Sequence, residues 1–149
     1  MNRLDELRAL LEKNNVSFEI IQNKKPIYSV NDAYGYYEIS QTAPTLIIKT
    51  ERGFFALILA GDRGRADFEL VKESLQCEKA KLASKKEVLE IIGYEVGSVP
   101  LVGHGLPCIL DTRLFLHSYV YGGAGDANFT LKIDPRDIEK INDVVAKIV

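Results

Sequence analysis

The sequence predicts an α+β fold in which a mixed, largely antiparallel, barrel-like β-sheet core carries packed helices. Segments with the alternation typical of strands are interspersed with segments at helical spacing, and two apolar strands are joined by a short turn rather than by a helix. A chain of 149 residues is long enough to bury one substantial core. We therefore expect residues 1–149 to form a single domain.

Composition narrows the class of protein. No apolar run approaches the length of a membrane span, and the N-terminus has the pattern of an amphipathic helix rather than of a secretory signal. The net charge of −2 does not indicate a nucleic-acid binder, although basic residues could cluster after folding. Cys77 and Cys108 lack metal or redox spacing, so free thiols are expected. We expect a soluble cytoplasmic protein without a cofactor.

Helical spacing of four leucines predicts an N-terminal helix that stops at Asn14-Asn15, and the alternating segment 16–21 predicts the first strand. Ser29 can cap a short helix over residues 30–34, ended by Gly35. Three nearby tyrosines either pack around the core, which the sequence favours, or line a cleft: Tyr34, Tyr36 and Tyr37.

The clearest strand pair comes next. The apolar segments 44–50 and 54–60 flank Glu51-Arg52-Gly53, a short connection with glycine where a positive φ is needed. We expect two adjacent antiparallel strands at the centre of the sheet, with a further short strand over residues 80–83.

Two helices carry recognisable N-terminal signals. Asp67 can cap a helix with apolar positions over residues 68–75. Ser84 and Glu87 form a capping-box pattern, which predicts a helix that ends at Gly93.

The C-terminal third predicts three strands and a helix. The strands cover residues 108–111, 114–121 and 128–133, with a glycine-rich turn between the last two. Asp134-Pro135 can begin a closing helix whose buried face contains Ile138, Ile141, Val144, Val145 and Ile148.

Residues 93–111 form an apolar segment interrupted by glycine and proline, and we expect the functional site there. Glycine permits backbone conformations and close ligand approach that side chains forbid. A long surface loop is the alternative reading. The apolar residues Val99, Leu101 and Val102 favour a segment that packs over something or lines a pocket.

Few side chains are candidates for an acid or base. His104 lies in the glycine segment, whereas His117 lies on a predicted strand and is better explained as a half-buried strand residue. Asp62 and Asp111 lie at strand ends, where carboxylates more often cap or form turns. No histidine and cysteine pair has ligand spacing, so no metal site is expected.

The order of these elements resembles the YbaK/ProX family of aminoacyl-tRNA editing domains. The resemblance covers nearly the whole chain and depends on the apolar hairpin, the lysine-rich segment 79–84, VGSVP at 96–100, the strand 109–111 and the late glycine turn. Members hydrolyse the ester of mischarged aminoacyl-tRNA, typically alanyl- or cysteinyl-tRNA for proline. The resemblance implies a trans-acting deacylase with tRNA as substrate and prolyl-tRNA synthetase as a candidate partner.

The resemblance also implies a binding site. The loop Gly97-Ser98-Val99-Pro100 corresponds to the family's loop that holds the aminoacyl end, although it is one residue shorter here. The strand ending at Asp111 and the turn containing Gly122, Gly123 and Gly125 are expected near the pocket. Thr45 and His104 complete the residues expected to bind substrate, with backbone amides aimed at the developing oxyanion.

The main departure is at the start of the first hairpin strand, where the family has its principal lysine. This chain has Pro44-Thr45-Leu46, and a proline supplies neither charge nor donor. Lys49 is five residues further along and faces the opposite side of the strand, so we expect a solvated lysine rather than a replacement. No catalytic residue is therefore assigned.

Two classes of function stay open. One is a deacylase that works by substrate-assisted or backbone-assisted water attack. The other is a catalytically silent relative that binds an aminoacyl ester, a small amino-acid-like ligand or a synthetase. A plain nucleic-acid binding module is disfavoured by the acidic balance.

Overall fold

The computed structural model describes residues 2–149, which form two β-sheets with helices packed on them. The α-helices are α1 (Arg3–Lys13), α2 (Val30–Ala33), α3 (Phe68–Leu75), α4 (Lys85–Ile92) and α5 (Pro135–Ile141). The strands are β1 (Phe18–Gln22), β2 (Thr42–Ala43), β3 (Thr45–Thr50), β4 (Gly53–Ile58), β5 (Ala80–Leu82), β6 (Cys108–Asp111), β7 (Val120–Gly123), β8 (Phe129–Ile133) and β9 (Val144–Ile148). Short 3₁₀ helices cover Ile39–Gln41 and Thr112–Leu116.

Both sheets are mixed. The first has the strand order β1-β8-β7-β2, and the second has β5-β3-β4-β6-β9. β3 and β4 pair as an antiparallel hairpin inside the second sheet, while β6 lies parallel to both β4 and β9. The predicted α+β class is therefore confirmed, and the hairpin lies in the interior of its sheet as expected.

The capping and turn residues identified in the sequence correctly predicted where two helices and the hairpin begin or end. The Asp67 carboxylate accepts hydrogen bonds from two backbone N–H groups in the first turn of α3. Ser84 and Glu87 form a complete capping box at the start of α4, which ends at Gly93 in the left-handed conformation. Gly53 has a φ of +116° where the hairpin turns into β4.

The predicted strand over residues 114–121 is wrong in its first half. The chain leaves β6 through the 3₁₀ helix Thr112–Leu116, and only β7 is a strand. Asp111 explains the turn, because its carboxylate caps this helix by accepting the Arg113 backbone N–H at 3.0 Å. His117 consequently lies between the 3₁₀ helix and β7 rather than on a strand.

The closing helix is also shorter than predicted. α5 ends at Ile141, and the following apolar residues form β9 beside β6. The Asn142 backbone is extended, and its side-chain amide donates to the Leu101 carbonyl at 2.8 Å. Branched residues such as Val144 and Val145 suit a strand, and β6 offers an edge for pairing.

The side chains of β3 alternate between the two faces of the sheet, and each face packs against a different helix. Ile48 belongs to the apolar cluster formed with α3, whereas Ile47 packs with α4 and Val99 on the other face. Thr45 and Lys49 follow the same alternation and share the face of Ile47. No helix among residues 2–149 has the length and apolar character needed to cross a membrane.

Candidate functional site

A cavity of about 440 Å³ opens where the two sheets meet. The first sheet contributes residues of β2, β7 and β8, and the second contributes the beginning of β3. Two loops complete the wall, residues 27–30 before α2 and residues 96–99 after α4. Most of the lining side chains are apolar, and the volume suits a small organic ligand.

Two glycines bring these wall segments together. A Cβ atom at Gly97 would lie 2.1 Å from the Tyr28 carbonyl oxygen, and a Cβ atom at Gly123 would lie 1.9 Å from the Val99 carbonyl oxygen. Gly97 also has a φ of +91°, which side chains rarely adopt. The Leu101 N–H donates to the Gly123 carbonyl at 3.0 Å and holds the two loops in register. The cavity shape therefore depends on the absence of side chains at both positions.

Six of the ten residues expected to bind substrate line this cavity: Thr45, Gly97, Ser98, Val99, Gly122 and Gly123. The other four are not among its lining residues: Pro100, His104, Asp111 and Gly125. Pro100 is buried next to Gly123, and Gly125 packs against the ring of Tyr94. Binding of a substrate by the six lining residues stays a prediction.

Asp111 is a structural residue in this fold. Its carboxylate is fully buried and accepts from the Ala60 N–H at 3.0 Å, the Arg63 guanidinium at 2.9 Å and the Arg113 N–H at 3.0 Å. Arg63 also donates to the backbone carbonyl of Val149 at 2.7 Å. The carboxylate thus joins the end of β6 to the segment 60–63 and to the start of the 3₁₀ helix, and its oxygens are occupied by protein donors.

His104 is also absent from the cavity lining. Only 6% of the residue is exposed, and its Nδ1 accepts the Leu106 backbone N–H at 3.1 Å. Burial lowers the pKa of His104 to about 4, so the ring is neutral at pH 7. Its Nε2 is buried without a hydrogen-bond partner among the described residues.

Two further candidates are excluded from the cavity wall. His117 is not a lining residue. Cys108 is buried in the core, and burial raises the pKa of its thiol to about 12, so the thiol is not a nucleophile at neutral pH.

Lys49 is bound elsewhere. Its Nζ lies 2.5 Å from a carboxylate oxygen of Glu87 in α4. Lys49 therefore forms an ion pair, whereas a solvated lysine was expected from the sequence. This ion pair lowers the pKa of Glu87 to about 2. Lys49 does not line the cavity, which supports the expectation that it does not replace the family lysine.

The cavity carries an unusual charge. Asp126, in the loop between β7 and β8, is the only aspartate, glutamate, lysine, arginine or histidine in the lining, among the residues that the structure describes. One carboxylate oxygen accepts the Asn128 N–H at 2.8 Å. Pro44, where the resemblance leads us to expect a lysine, also lines the cavity. The sequence analysis missed Asp126, although it is the only acidic residue in the glycine-rich turn.

Four of the eight hydroxyl groups in the wall donate to protein acceptors, namely those of Tyr37, Thr42, Ser98 and Thr130. Thr130 and Tyr37 both donate to the Asn23 side-chain oxygen, at 2.8 and 3.3 Å, and Ser98 donates to the Glu95 carbonyl at 3.2 Å. The Thr45 hydroxyl is buried and has no partner in the part of the chain that the structure describes. Thr45 lines the cavity, but its hydroxyl oxygen is shielded from solvent, so it becomes a donor or acceptor for a ligand only if the side chain rotates.

The tyrosines near α2 divide between two environments. Tyr37 lines the cavity and packs against Tyr121 with ring centroids 4.6 Å apart. Tyr34 and Tyr36 are 78% and 47% exposed, so neither ring is buried in the core. Exposed aromatic rings of this kind are typical of binding surfaces.

Comparison with known proteins agrees with this architecture. A family model described as the aminoacyl-tRNA editing domain matches residues 24–141. The solved structure of hypothetical protein APE2540 superposes with a TM-score of 0.85 at 27% identity, over 98% of this chain and 97% of the other. A proposed trans-editing enzyme for prolyl tRNA synthetase gives a TM-score of 0.85 at 20% identity, over 99% and 96% of the two chains. Both structures share the fold over nearly its whole length.

Proposed function

Because the chain belongs to the aminoacyl-tRNA editing domain family, we propose that it hydrolyses the ester bond of mischarged aminoacyl-tRNA in trans. Alanyl- or cysteinyl-tRNA for proline is the proposed substrate class, and residues 1–149 act as a single domain. The observation that carries this proposal is the cavity at the meeting point of Gly97, Gly123 and Thr45. Its volume of about 440 Å³ suits an aminoacyl group with part of the terminal nucleotide.

The reaction is attack by water on the ester carbonyl carbon. The new carbon–oxygen bond forms, the bond to the ribose oxygen breaks, and that oxygen takes up a proton to leave a free hydroxyl on the tRNA. The backbone N–H groups of Gly97 and Val99 are the donors proposed for the developing oxyanion, together with the Thr45 hydroxyl after a rotation of its side chain. The Ser98 N–H is not available, because it donates to the Glu95 carbonyl at 3.1 Å. No lysine, histidine or cysteine from the described part of the chain lines the cavity. The neighbouring ribose hydroxyl of the substrate is therefore the proposed proton acceptor for the attacking water.

The mouth of the cavity suits single-stranded RNA. Tyr28 lines the cavity and is 51% exposed, and two further exposed tyrosines, Tyr34 and Tyr36, follow in the same segment. Lys24 and Lys25 are also exposed, just before this segment. Aromatic rings stack on unpaired bases and lysines attract phosphates, so this surface is proposed to hold the acceptor end of the tRNA. A cytoplasmic location is the expectation that accompanies this role.

A catalytically silent binding protein is the second candidate. It is favoured by Pro44, which removes the family lysine from the cavity wall. Such a protein would hold an aminoacyl ester or a synthetase without hydrolysing anything.

The test is hydrolysis of alanyl-, cysteinyl- and seryl-tRNA for proline by the purified protein, beside the variant Pro44→Lys. Release of one amino acid well above the rate without protein is the expected result. Binding of a non-hydrolysable aminoacyl amide without hydrolysis would favour the silent candidate instead. Neither hydrolysis nor binding would contradict both.

A further inference from the structure

We propose that Asp126 forms an ammonium subsite, in which its carboxylate pairs with the α-ammonium group of the aminoacyl ester. The choice of an aminoacyl ligand rests on the function proposed above. The cavity would consequently select aminoacyl esters that carry a free ammonium group, and it would reject both N-acylated esters and free amino acids.

The charges around the cavity carry this inference. The lining includes Asp126 and no lysine, arginine or histidine from the described part of the chain. Several cations on neighbouring elements are paired with carboxylates, because Arg63 binds Asp111, Lys49 binds Glu87 and Lys132 of β8 lies 4.0 Å from Glu19. Lys81 of β5 is exposed and is not a lining residue. One negative charge thus faces a neutral and mostly apolar cavity. A ligand that fits needs one positive charge next to apolar groups.

Asp126 is held in position and still has binding capacity. One carboxylate oxygen accepts the Asn128 N–H at 2.8 Å, and the Asp126 carbonyl accepts the Phe129 N–H at 3.0 Å. These two contacts anchor the side chain and the backbone of the loop. The other carboxylate oxygen has no hydrogen-bond or ion-pair partner among residues 2–149. An ammonium group has three donors and can bind this oxygen directly.

The charges that a ligand carries determine how well it complements the single carboxylate of the cavity, and three classes of ligand differ in this respect. An aminoacyl ester with a free ammonium carries one positive charge and no carboxylate, so it complements the cavity. A free amino acid adds a carboxylate that would lose its water, meet no cation and be repelled by Asp126. An N-acylated ester has no positive charge and leaves Asp126 without a partner.

Pro44 strengthens this selection. A lysine at this lining position, as in the family, would add a cation to the same cavity and partly neutralise Asp126. Proline leaves the negative charge uncompensated. We therefore expect Pro44→Lys to lower the affinity for a ligand with a free ammonium group and to raise that for a carboxylate ligand.

The test uses binding rather than turnover. The ligands are 3′-alanylamino-3′-deoxyadenosine, its N-acetyl derivative and free alanine, and their dissociation constants are measured by calorimetry. We expect the wild type to bind the free-ammonium amide about tenfold more tightly than the N-acetyl form, and free alanine still more weakly. Asp126→Asn, which keeps the acceptor for Asn128, should remove this preference by weakening only the free-ammonium amide.

Two further variants serve as controls. Asp62→Asn removes the same charge from an exposed acid outside the cavity wall and should leave all three affinities unchanged. Asp126→Glu retains the charge and should recover part of the preference. An unfolding midpoint close to that of the wild type shows that Asp126→Asn is folded.

Several results would overturn the subsite. These are equal binding of both amides by the wild type, no binding of either amide, or equal weakening of both amides by Asp126→Asn. The subsite and the deacylase fail separately. Binding that depends on Asp126 without any ester hydrolysis would refute only the deacylase, whereas hydrolysis indifferent to N-acetylation and to Asp126→Asn would refute only the subsite.

Discussion

Asp111 and Asp126 follow buried or half-buried strands and lie beside glycine-rich segments, yet they serve different regions of the molecule. Asp111 belongs to a buried network at the end of β6, where two backbone N–H groups and Arg63 fill its oxygens. Asp126 is half-buried, lines the cavity and accepts one hydrogen bond from the protein. A buried carboxylate whose oxygens all accept hydrogen bonds from the protein stabilises the fold. A carboxylate that has an oxygen without a partner beside a cavity is available to bind a ligand.

The largest effect should come from Asp111→Asn. The substitution leaves the Arg63 guanidinium, whose side chain is only 10% exposed, without its buried counter-charge. Loss of one partner of a buried pair costs about 3–5 kcal/mol, and we expect this loss in the free energy of unfolding by urea. Asp126→Asn is the matched control and should cost less than about 1 kcal/mol. Equal losses for the two variants would remove the distinction between the two carboxylates.

His104 supplies a second test of the buried region, by pH. Burial lowers the pKa of this ring to about 4 from its ordinary value of 6.5, so the folded state disfavours its charged form. Stability is therefore fully present above pH 6.5 and decreases as the pH falls towards 4. The expected loss is about 3 kcal/mol relative to His104→Gln, measured as unfolding free energy against pH. Parallel curves for wild type and His104→Gln would contradict the prediction.

A comparison of alanine substitutions at Gly97 and Gly105 separates the effect of a close contact at the cavity wall from the effect of a positive φ. Gly97 and Gly105 both have positive φ, but only Gly97 has a close neighbour, the Tyr28 carbonyl oxygen. Gly97→Ala should therefore cost about 1–3 kcal/mol more than Gly105→Ala, since the wall segments must separate. Gly97→Ala should also abolish binding of the alanyl amide, whereas Gly105→Ala should preserve it. Calorimetry measures both quantities, and identical behaviour of the two variants would show that contact with Tyr28 is unimportant.

The smallest effect is expected outside the cavity, at the exposed tyrosines. Replacing Tyr34 or Tyr36 by alanine should weaken binding of an RNA hairpin with a single-stranded 3′ end by about tenfold, because stacking on a base is lost. Tyr119 is 47% exposed, as Tyr36 is, but its ring packs on Lys132 away from the cavity lining. Tyr119→Ala is therefore the control. A fluorescence titration that shows the same affinity for all three variants would exclude this surface as the RNA contact.

Local signals explain the parts of the fold that were predicted correctly. Asp67, the pair Ser84 and Glu87, and Gly53 act on backbone groups within a few residues, so their effects can be read from neighbouring positions. The errors have the opposite origin. Residues 144–148 have apolar spacing compatible with a helix, but they form β9 because the edge of β6 is close in space.

The site was predicted in part for the same reason. The glycine loops and Thr45 were identified from a resemblance in order and spacing, and they share one cavity wall. Asp126 was missed because its significance depends on the residues that surround it in the folded cavity. The residues next to it in the sequence do not show that the cavity lining lacks a cation. Asp111 and His104 were expected near the pocket, but their surroundings are set by packing at the end of β6 and in the core.

The sequence by itself determined the α+β class, the family resemblance, the central hairpin and the caps of α3 and α4, since periodicity and capping are properties of neighbouring residues. Only the tertiary structure decided which polar groups already have hydrogen-bond partners within the protein. The donors that fill Asp111 from Ala60 and Arg63 lie 51 and 48 residues away in the chain, and the cavity beside Asp126 forms from both sheets. Hydrogen bonding and charge balance depend on distance in space, so these features appear only after folding.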